Sequence, residues 1–471
     1  MVKFVLQAYP ICIRVFLPLV LAAATAAHAS DTPPPGNCPS RVVRPNIVLI
    51  IIDTLRADKL GCYGFPEDTS PELDAMARKG VQFRNVVAQC SWTRPSMGSM
   101  LTSCYPRTLG LYKERNEALN DCFVTLAEAL RDCGYATFGI TANPVLNRVY
   151  KMDQGFQEYI DSNVIFSWMK SQVKGQAGLR LRRNAKLPSA NEVFDRILEY
   201  AGSRAEFPCF VETNIMEMHE SWRGRKSLNR PEFHALFKRQ SRADYLRALR
   251  QVSWDVDAFV RRLSALPNWD NTLFIITSDH GQGLKDHPHV ALSFAHGRLL
   301  YESHVKVPLI LYTPNGSLSP NVIERPVRLL DLMPTVLDYM GAPIPGQTEG
   351  ASLVPLLFDK NAVVNVPEIL VTETDYRHYS KIGAYSPQWK YFENRDRPHH
   401  HGLREHELQR IGVREDGILT DVIRHRPEIA EPLRAYLQQW ETQHPKAQPT
   451  PCSSQPPPEA IEQMKAIGYL K

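Results

Sequence analysis

Beyond its first thirty residues this chain has no apolar run long enough to span a membrane, no pair of cysteines spaced C-x-x-C, and little net charge. The first absence leaves the N-terminal segment as the sole candidate for targeting. The second argues against a structural zinc site. The third argues against nucleic acid as a partner. The formal charge is +5 over 471 residues and falls to +3 without Lys3 and Arg14, close to neutral for this size.

The N-terminal segment reads as a secretory signal. Lys3 and Arg14 supply positive charge, residues 15–25 form an apolar run, and Ala27-His28-Ala29 matches a small-x-small cleavage site. Residues 1–29 are therefore expected to be removed, leaving a secreted or periplasmic protein without a membrane span; an uncleaved anchor is the alternative. The mature chain keeps Cys38, Cys62, Cys90, Cys104, Cys122, Cys133, Cys209 and Cys452. An exported protein can form disulfides, but eight cysteines admit too many pairings to assign any.

With 43% hydrophobic residues the chain has ample core material, and its length suggests about two to three domain-sized units. Residues 30–45, with Pro33-Pro34-Pro35-Gly36, read as a linker. Residues 46–53 read N-I-V-L-I-I-I-D, an aliphatic run that predicts a doubly buried central strand ending in a carboxylate. A helix is expected over 71–79, with Ser70 as N-cap and Gly80 as stop, and another over 125–132. Strands are expected over 135–141, 208–213, 272–277 and 307–312, and a long helix over 245–266. This alternation predicts an α/β fold: a large, mostly parallel sheet sandwiched by helices. The catalytic domain is expected over 46–358. A smaller α+β subdomain is expected over 359–471, with strands over 369–374 and 389–392, a helix over 428–440, a Pro-rich linker over 445–458, and a short helix and tail at the end. The basic stretch 168–186 reads as a solvated surface segment.

Two buried strands each deliver acidic residues to their C-terminal ends: Asp53 after one, Asp279 and His280 after the other. Singly, an aspartate at a strand end is most often a turn or cap residue. Together, oxygen ligands with one imidazole suit Mg²⁺, Ca²⁺, Mn²⁺ or Zn²⁺, at the sheet edge where α/β folds place their chemistry. A hydroxyl brought to the same ion would be activated as a nucleophile.

Residues 45–64, P-N-I-V-L-I-I-I-D-T-L-R-A-D-K-L-G-C-Y-G, resemble the opening of the sulfatase family, within the alkaline phosphatase superfamily. Thr125-Leu126-Ala127-Glu128 with Gly134-Tyr135-Ala136-Thr137 resembles the family's T-L-A-E…G-Y-x-T segment. Asp270-Asn271-Thr272 through Ser278-Asp279-His280-Gly281 resembles D-N-T…S-D-H-G, and Leu300-Tyr301-Glu302 with Val307-Pro308-Leu309-Ile310 resembles L-Y-E…V-P-L-I. Asp331-Leu332-Met333-Pro334-Thr335, Gly350-Ala351-Ser352-Leu353 and Ile467-Gly468-Tyr469-Leu470 continue the likeness to the end. The resemblance implies a hydrolase of anionic esters. It makes Asp53, Thr93, Asp279 and His280 the metal ligands. It makes His219 and His296 catalytic residues that contact or protonate the ester, His296 with a possible second metal. Arg94, Asn143 and His287 become substrate contacts. A lone histidine is otherwise more often a satisfied core or surface residue, and His399, His400 and His401 are left as a loop cluster.

Three departures bear on chemistry. Asp53 is followed by Thr54, where sulfatases commonly have a second aspartate. Thr141-Ala142-Asn143-Pro144 replaces a lysine–histidine segment. The nucleophile loop reads Thr93-Arg94-Pro95-Ser96-Met97, where the formylglycine motif is C-x-P-x-R. Cys90-Ser91-Trp92-Thr93-Arg94 fits C-x-x-x-R with Trp in place of Pro. Register favours Thr93. In the family a Leu-Thr pair follows the nucleophile by eight and nine residues, which from Thr93 are Leu101 and Thr102, and from Cys90 are Gly98 and Ser99. Cys90 then reads as a disulfide or buried cysteine.

A formylglycine hydrate uses one hydroxyl to attack sulfur and the second to expel sulfate; threonine has no second hydroxyl. A sulfated Thr93 would be a dead end, whereas phosphorus in a phosphothreonine accepts in-line attack by water or an alcohol. The expected activity is a metal-dependent hydrolase or transferase of phosphoesters, phosphodiesters or phosphonates, its partner a small anionic ester, headgroup or glycan ester. The alternatives are a sulfuric ester hydrolase and a catalytically silent binding protein of the same fold.

Overall fold

The computed structural model describes residues 44–466, apart from 113–116, 165–186, 205–207, 222–231, 233–235, 237–241, 288–295, 378, 396–402 and 413–420. The signal and most of the first linker, the basic stretch, the histidine cluster and the last five residues lie outside the described residues, all of which fall within the unit 35–471.

The aliphatic run begins the main sheet. Strands β1 (Asn46–Ile52), β2 (Val81–Val87), β4 (Ala136–Thr141), β5 (Glu158–Ile160), β6 (Cys209–Ile215), β7 (Thr272–Thr277), β8 (Lys306–Tyr312), β9 (Asn321–Ile323) and β10 (Val327–Arg328) form it; β3 (Glu117–Ala118) lies apart. The order is β10-β2-β8-β7-β1-β6-β4-β5, with β9 also on β2. Every residue of β1, β4, β6 and β7 is buried, so both faces of the sheet centre are covered. Burying each aliphatic side chain of Ile47 to Ile52 contributes roughly 1.5–3 kcal/mol.

β1 is central and parallel to both neighbours. Ile51 stands opposite Asn214 on one side and Thr277 on the other. The C-terminal ends of β1, β6 and β7 therefore reach one edge at the same level. β8 runs antiparallel to both β7 and β2, so the sheet is mixed on that side.

Local signals account for the helices. α1 (Pro71–Lys79) starts with a proline, whose missing N–H costs nothing at N1. Ser70 stands at its N-cap, but its hydroxyl donates to the Asp74 carboxylate, 3.0 Å away, instead of capping the backbone. α2 (Thr93–Thr102) is wholly buried. α3 (Leu126–Asp132) opens with a reciprocal capping box between Thr125 and Glu128, and α4 (Ala190–Gly202) with one between Ser189 and Glu192. α5 (Ala243–Ser264) packs with α1 and α4; α6 (Leu332–Met340) packs with α2 and α3.

The smaller sheet is antiparallel, β11 (Leu370–Tyr376), β12 (Tyr379–Tyr385), β13 (Trp389–Asn394) and β14 (His406–Arg410), in sequential order. α7 (Pro427–Gln443) covers it, burying Leu433, Leu437 and Trp440 against Val371, Ile382 and Tyr391. Arg107 ties this layer to the main body. Its guanidinium reaches Glu373 at 3.0 Å and Glu441 at 2.8 Å and lies 4.7 Å from the Trp440 ring. The Pro-rich stretch read as a linker returns to the main body: β15 (Thr450–Pro451) pairs antiparallel with β3, and Ala460 and Met464 beyond it are buried. Among the described residues no helix is long and apolar enough to cross a membrane.

Candidate active site

Asp53 leaves the end of β1 with its backbone N–H bonded to Ile215 O, 3.0 Å away. Thr54 then turns the chain at φ 60°, a conformation that a β-branched residue rarely adopts. The turn aims the Thr54 N–H at Asp279 Oδ1, 3.4 Å away. After β7 the Ser278 hydroxyl donates to His280 O at 2.7 Å and accepts Leu55 N–H at 2.9 Å, locking the two strand ends together. Gly281 follows because there is no room for a side chain: a Cβ there would stand 2.2 Å from Ser303 O.

Asp53, Asp279 and His280 each present a ligand atom, all within 4.8 Å of one another and all fully buried. Asp53 Oδ1 and Asp279 Oδ2 have no hydrogen-bond partner among the described residues. His280 Nδ1 lies 2.8 Å from Gly281 O, which as a pure acceptor places the ring proton on Nδ1 and leaves the Nε2 lone pair facing the carboxylates. Burial, then the charge of Asp279, push the Asp53 carboxyl well above its usual range, while contacts from Asn143, Asn214 and Thr93 pull it down. Two buried carboxylates with open oxygens beside a metal-ready imidazole fit a divalent cation, which would supply the missing charge.

Thr93 is the first residue of α2. Its hydroxyl lies 3.4 Å from Asp53 Oδ2 and 3.2 Å from His280 Nε2. The helix is pinned there by Ser96, whose hydroxyl donates to Asp279 O at 2.5 Å. The N-terminus of a ten-residue helix favours anions at that point. Met97, at the position of the motif arginine, is fully buried in the apolar core. Cys90 is a buried free thiol with its pKa pushed up by burial, so it is not poised as a thiolate.

His280, His296 and His219 form a chain of rings, with centroids 4.9 Å apart between the first two and 5.0 Å between the last two. His296 Nδ1 lies 3.0 Å from Gln282 Oε1. Burial holds its pKa well below the ordinary value, helped by His280, His219, His304 and Arg298.

The residues expected as substrate contacts have partners within the protein. Asn143 donates to Asp53 Oδ2 at 2.7 Å and accepts Val145 N–H at 3.0 Å, so it orients the carboxylate. Arg94 donates to Val145 O at 3.1 Å and stacks 3.5 Å from the Tyr150 ring centre. His287 is one layer out, 3.3 Å from Ser303 Oγ and against the Tyr301 ring. Residues not foreseen from the sequence also build the site. Asn214 stands near Asp53 at the end of β6 and lowers its pKa, Gln282 holds His296, and Tyr376 of β11 packs edge-on against Trp92 at 5.4 Å. A polar residue ending an aliphatic strand was the available signal for Asn214; Gln282 and Tyr376 carried none.

A mixed, mostly parallel sheet with an acid–imidazole cluster and a hydroxyl at its C-terminal edge is the architecture of an alkaline-phosphatase-like hydrolase. Residues 45–342 match the sulfatase family model, and residues 292–406 match that described as N-sulphoglucosamine sulphohydrolase, C-terminal. The chain belongs to the sulfatase family. It is 24% identical over 357 residues to an arylsulfatase of Hemicentrotus pulcherrimus, covering 68% of this chain and 63% of that protein. It is 26% identical over 367 residues to arylsulfatase A of Homo sapiens, covering 66% and 68% respectively. The crystal structure of a phosphonate monoester hydrolase of Agrobacterium radiobacter shares the fold, with a TM-score of 0.63 and 19% identity over 85% of this chain and 96% of that one.

Proposed function

We propose that the protein hydrolyses phosphate or phosphonate esters, or transfers their phosphoryl group, with Thr93 as nucleophile. One observation carries this reading: a hydroxyl with no second hydroxyl on its carbon stands 3.2–3.4 Å from the acid–imidazole cluster at a helix N-terminus. Asp53, Asp279, His280 and Thr93 would hold a divalent cation, which when bound supplies charge that lowers the hydroxyl pKa and polarises the ester.

The chain's own residues account for the remaining steps. Thr93 Oγ1 gives its proton to His219 and forms a bond to phosphorus as the ester oxygen leaves, and the helix N-terminus offsets the negative charge. His219 faces the leaving oxygen and returns a proton to it. His296, with its proton on Nδ1 toward Gln282, presents an unprotonated Nε2 that takes a proton from attacking water. Thr93 Oγ1 then leaves phosphorus and takes that proton from His296, which restores the enzyme. Asn143 holds Asp53 in place throughout. The relatives named arylsulfatase favour a second reading, sulfuric ester hydrolysis. A sulfothreonine lacks the internal exit that a hydrate provides, so that reading is placed second. Export to the periplasm or beyond, suggested by residues 1–29, belongs to the same proposal.

The test is a panel of aryl phosphate, phosphodiester, phosphonate and sulfate esters. Phosphorus esters should be turned over, Thr93→Ala should lower kcat at least about 10³-fold, and Thr93→Ser should keep partial activity. Undiminished turnover in Thr93→Ala, or turnover of sulfate esters alone, would sink the reading.

A further inference from the structure

The wall of the site beside His296 comes from the smaller sheet. Tyr376 pairs with Tyr379 across the β11–β12 hairpin, and Arg377 follows Tyr376 at its tip. Arg377 is held at φ 59°, a conformation that such tips normally assign to Gly or Asn and that costs about 1–2 kcal/mol for other residues. Its guanidinium carbon lies 5.1 Å from the Tyr376 ring centre. Arg298 lies 5.2 Å from the ring centre of Tyr379. Tyr376 and Tyr379 thus each carry one guanidinium.

Both arginines adjoin residues that line the catalytic centre. The Tyr376 ring is 6.4 Å from His296 and 5.4 Å from Trp92, the residue before Thr93. Arg298 follows His296 across Gly297, whose N–H donates to Ser91 O at 2.7 Å and whose carbonyl accepts the Thr374 hydroxyl at 2.8 Å. The loop is therefore clamped between the nucleophile segment and β11. Arg298 Nε is buried without a hydrogen-bond partner among the described residues. A buried donor left unpaired is costly, and an anion supplies the acceptor.

We propose that Arg298 and Arg377, presented by Tyr379 and Tyr376, form a second anion subsite next to the Thr93 centre. The substrate is then an ester that bears a further carboxylate, sulfate or phosphate group beyond the one attacked. Guanidinium forks suit such groups in bidentate geometry. The reacting group needs neither arginine, because the helix N-terminus and the acid–imidazole cluster already address it. This inference rests on the reading of Thr93 as the centre of ester cleavage.

Binding tests it independently of turnover. The full-length, metal-loaded protein is titrated calorimetrically with methylphosphonate and with phosphonoacetate, 3-phosphonopropionate and 4-phosphonobutyrate, which add a carboxylate on spacers of increasing length. At least one phosphonocarboxylate should bind about tenfold more tightly than methylphosphonate. Arg298→Gln and Arg377→Gln should each lose that ratio while binding methylphosphonate as the parent does. Arg298→Lys, which keeps the charge without the fork, should fall between. Arg377, at a hairpin tip, carries the test if a change at Arg298 disturbs folding. No preference for any phosphonocarboxylate, or a preference that survives both glutamine variants, overturns the subsite. Thr93→Ala should keep the ratio. A preserved ratio with no turnover of phosphorus esters would defeat the Thr93 reading and leave the subsite standing.

Discussion

Glu212 offers a quantitative test of how the sheet under the site is built. It lies in the middle of β6, opposite Leu49 of β1 and Gly139 of β4, and two residues before Asn214. Burial alone raises its carboxyl from 4.5 to about 8, and Oε2 has no partner among the described residues. The folded chain therefore keeps the proton up to about pH 8, whereas the unfolded chain releases it near 4.5. Between those values the folded state binds one more proton, so stability falls as pH rises. At about 1.4 kcal/mol per pH unit, the full interval corresponds to roughly 5 kcal/mol. Glu212→Gln removes the titration. Relative to the parent it should gain stability steadily between about pH 5 and pH 8, with a constant difference above that. Urea unfolding of the metal-free proteins at half-unit pH steps reads this directly. Parallel stability curves for parent and variant across the interval would refute the assignment of a neutral buried acid in β6.

Three further outcomes are expected. Gly297→Ala puts a Cβ 2.7 Å from the Tyr376 ring at a φ of 77°, so it should lower stability by about 1–3 kcal/mol and depress kcat by displacing His296; an unchanged melting temperature would count against the clamp. Asp53→Asn removes one of two buried like charges, so it should raise the melting temperature of the metal-free protein while abolishing divalent-ion binding measured by elemental analysis. Arg107→Met leaves the buried Glu373 and the partly buried Glu441 without their shared cation, and should cost about 3–5 kcal/mol in chemical denaturation; a loss below about 1 kcal/mol would show that the smaller sheet is held mainly by its apolar contacts.

Much of the centre was legible because the chemistry sits where strands stop. An aliphatic run cannot end in an aspartate without placing it at a sheet edge, which located Asp53 and Asp279. The position of Thr93 followed from its spacing to Leu101 and Thr102, a distance along the chain. Arg94 and Asn143 were read as substrate contacts from the resemblance to the family. Tertiary packing instead turns Arg94 onto Tyr150 and Asn143 onto Asp53. The prolines of 445–458 suggested a spacer, because proline breaks helices and sheet interiors; an edge pairing with β3 tolerates it.

The sequence by itself determined the family, the strands that carry the acids, and the hydroxyl at residue 93, since each depends on local pattern or on spacing along the chain. Only the tertiary structure decided which side chains meet. The parallel register of β1, β6 and β7 places Asn214 near Asp53, and the antiparallel hairpin of β11 and β12 carries Tyr376 to His296. Such contacts join residues eighty or more positions apart, and no periodicity records them.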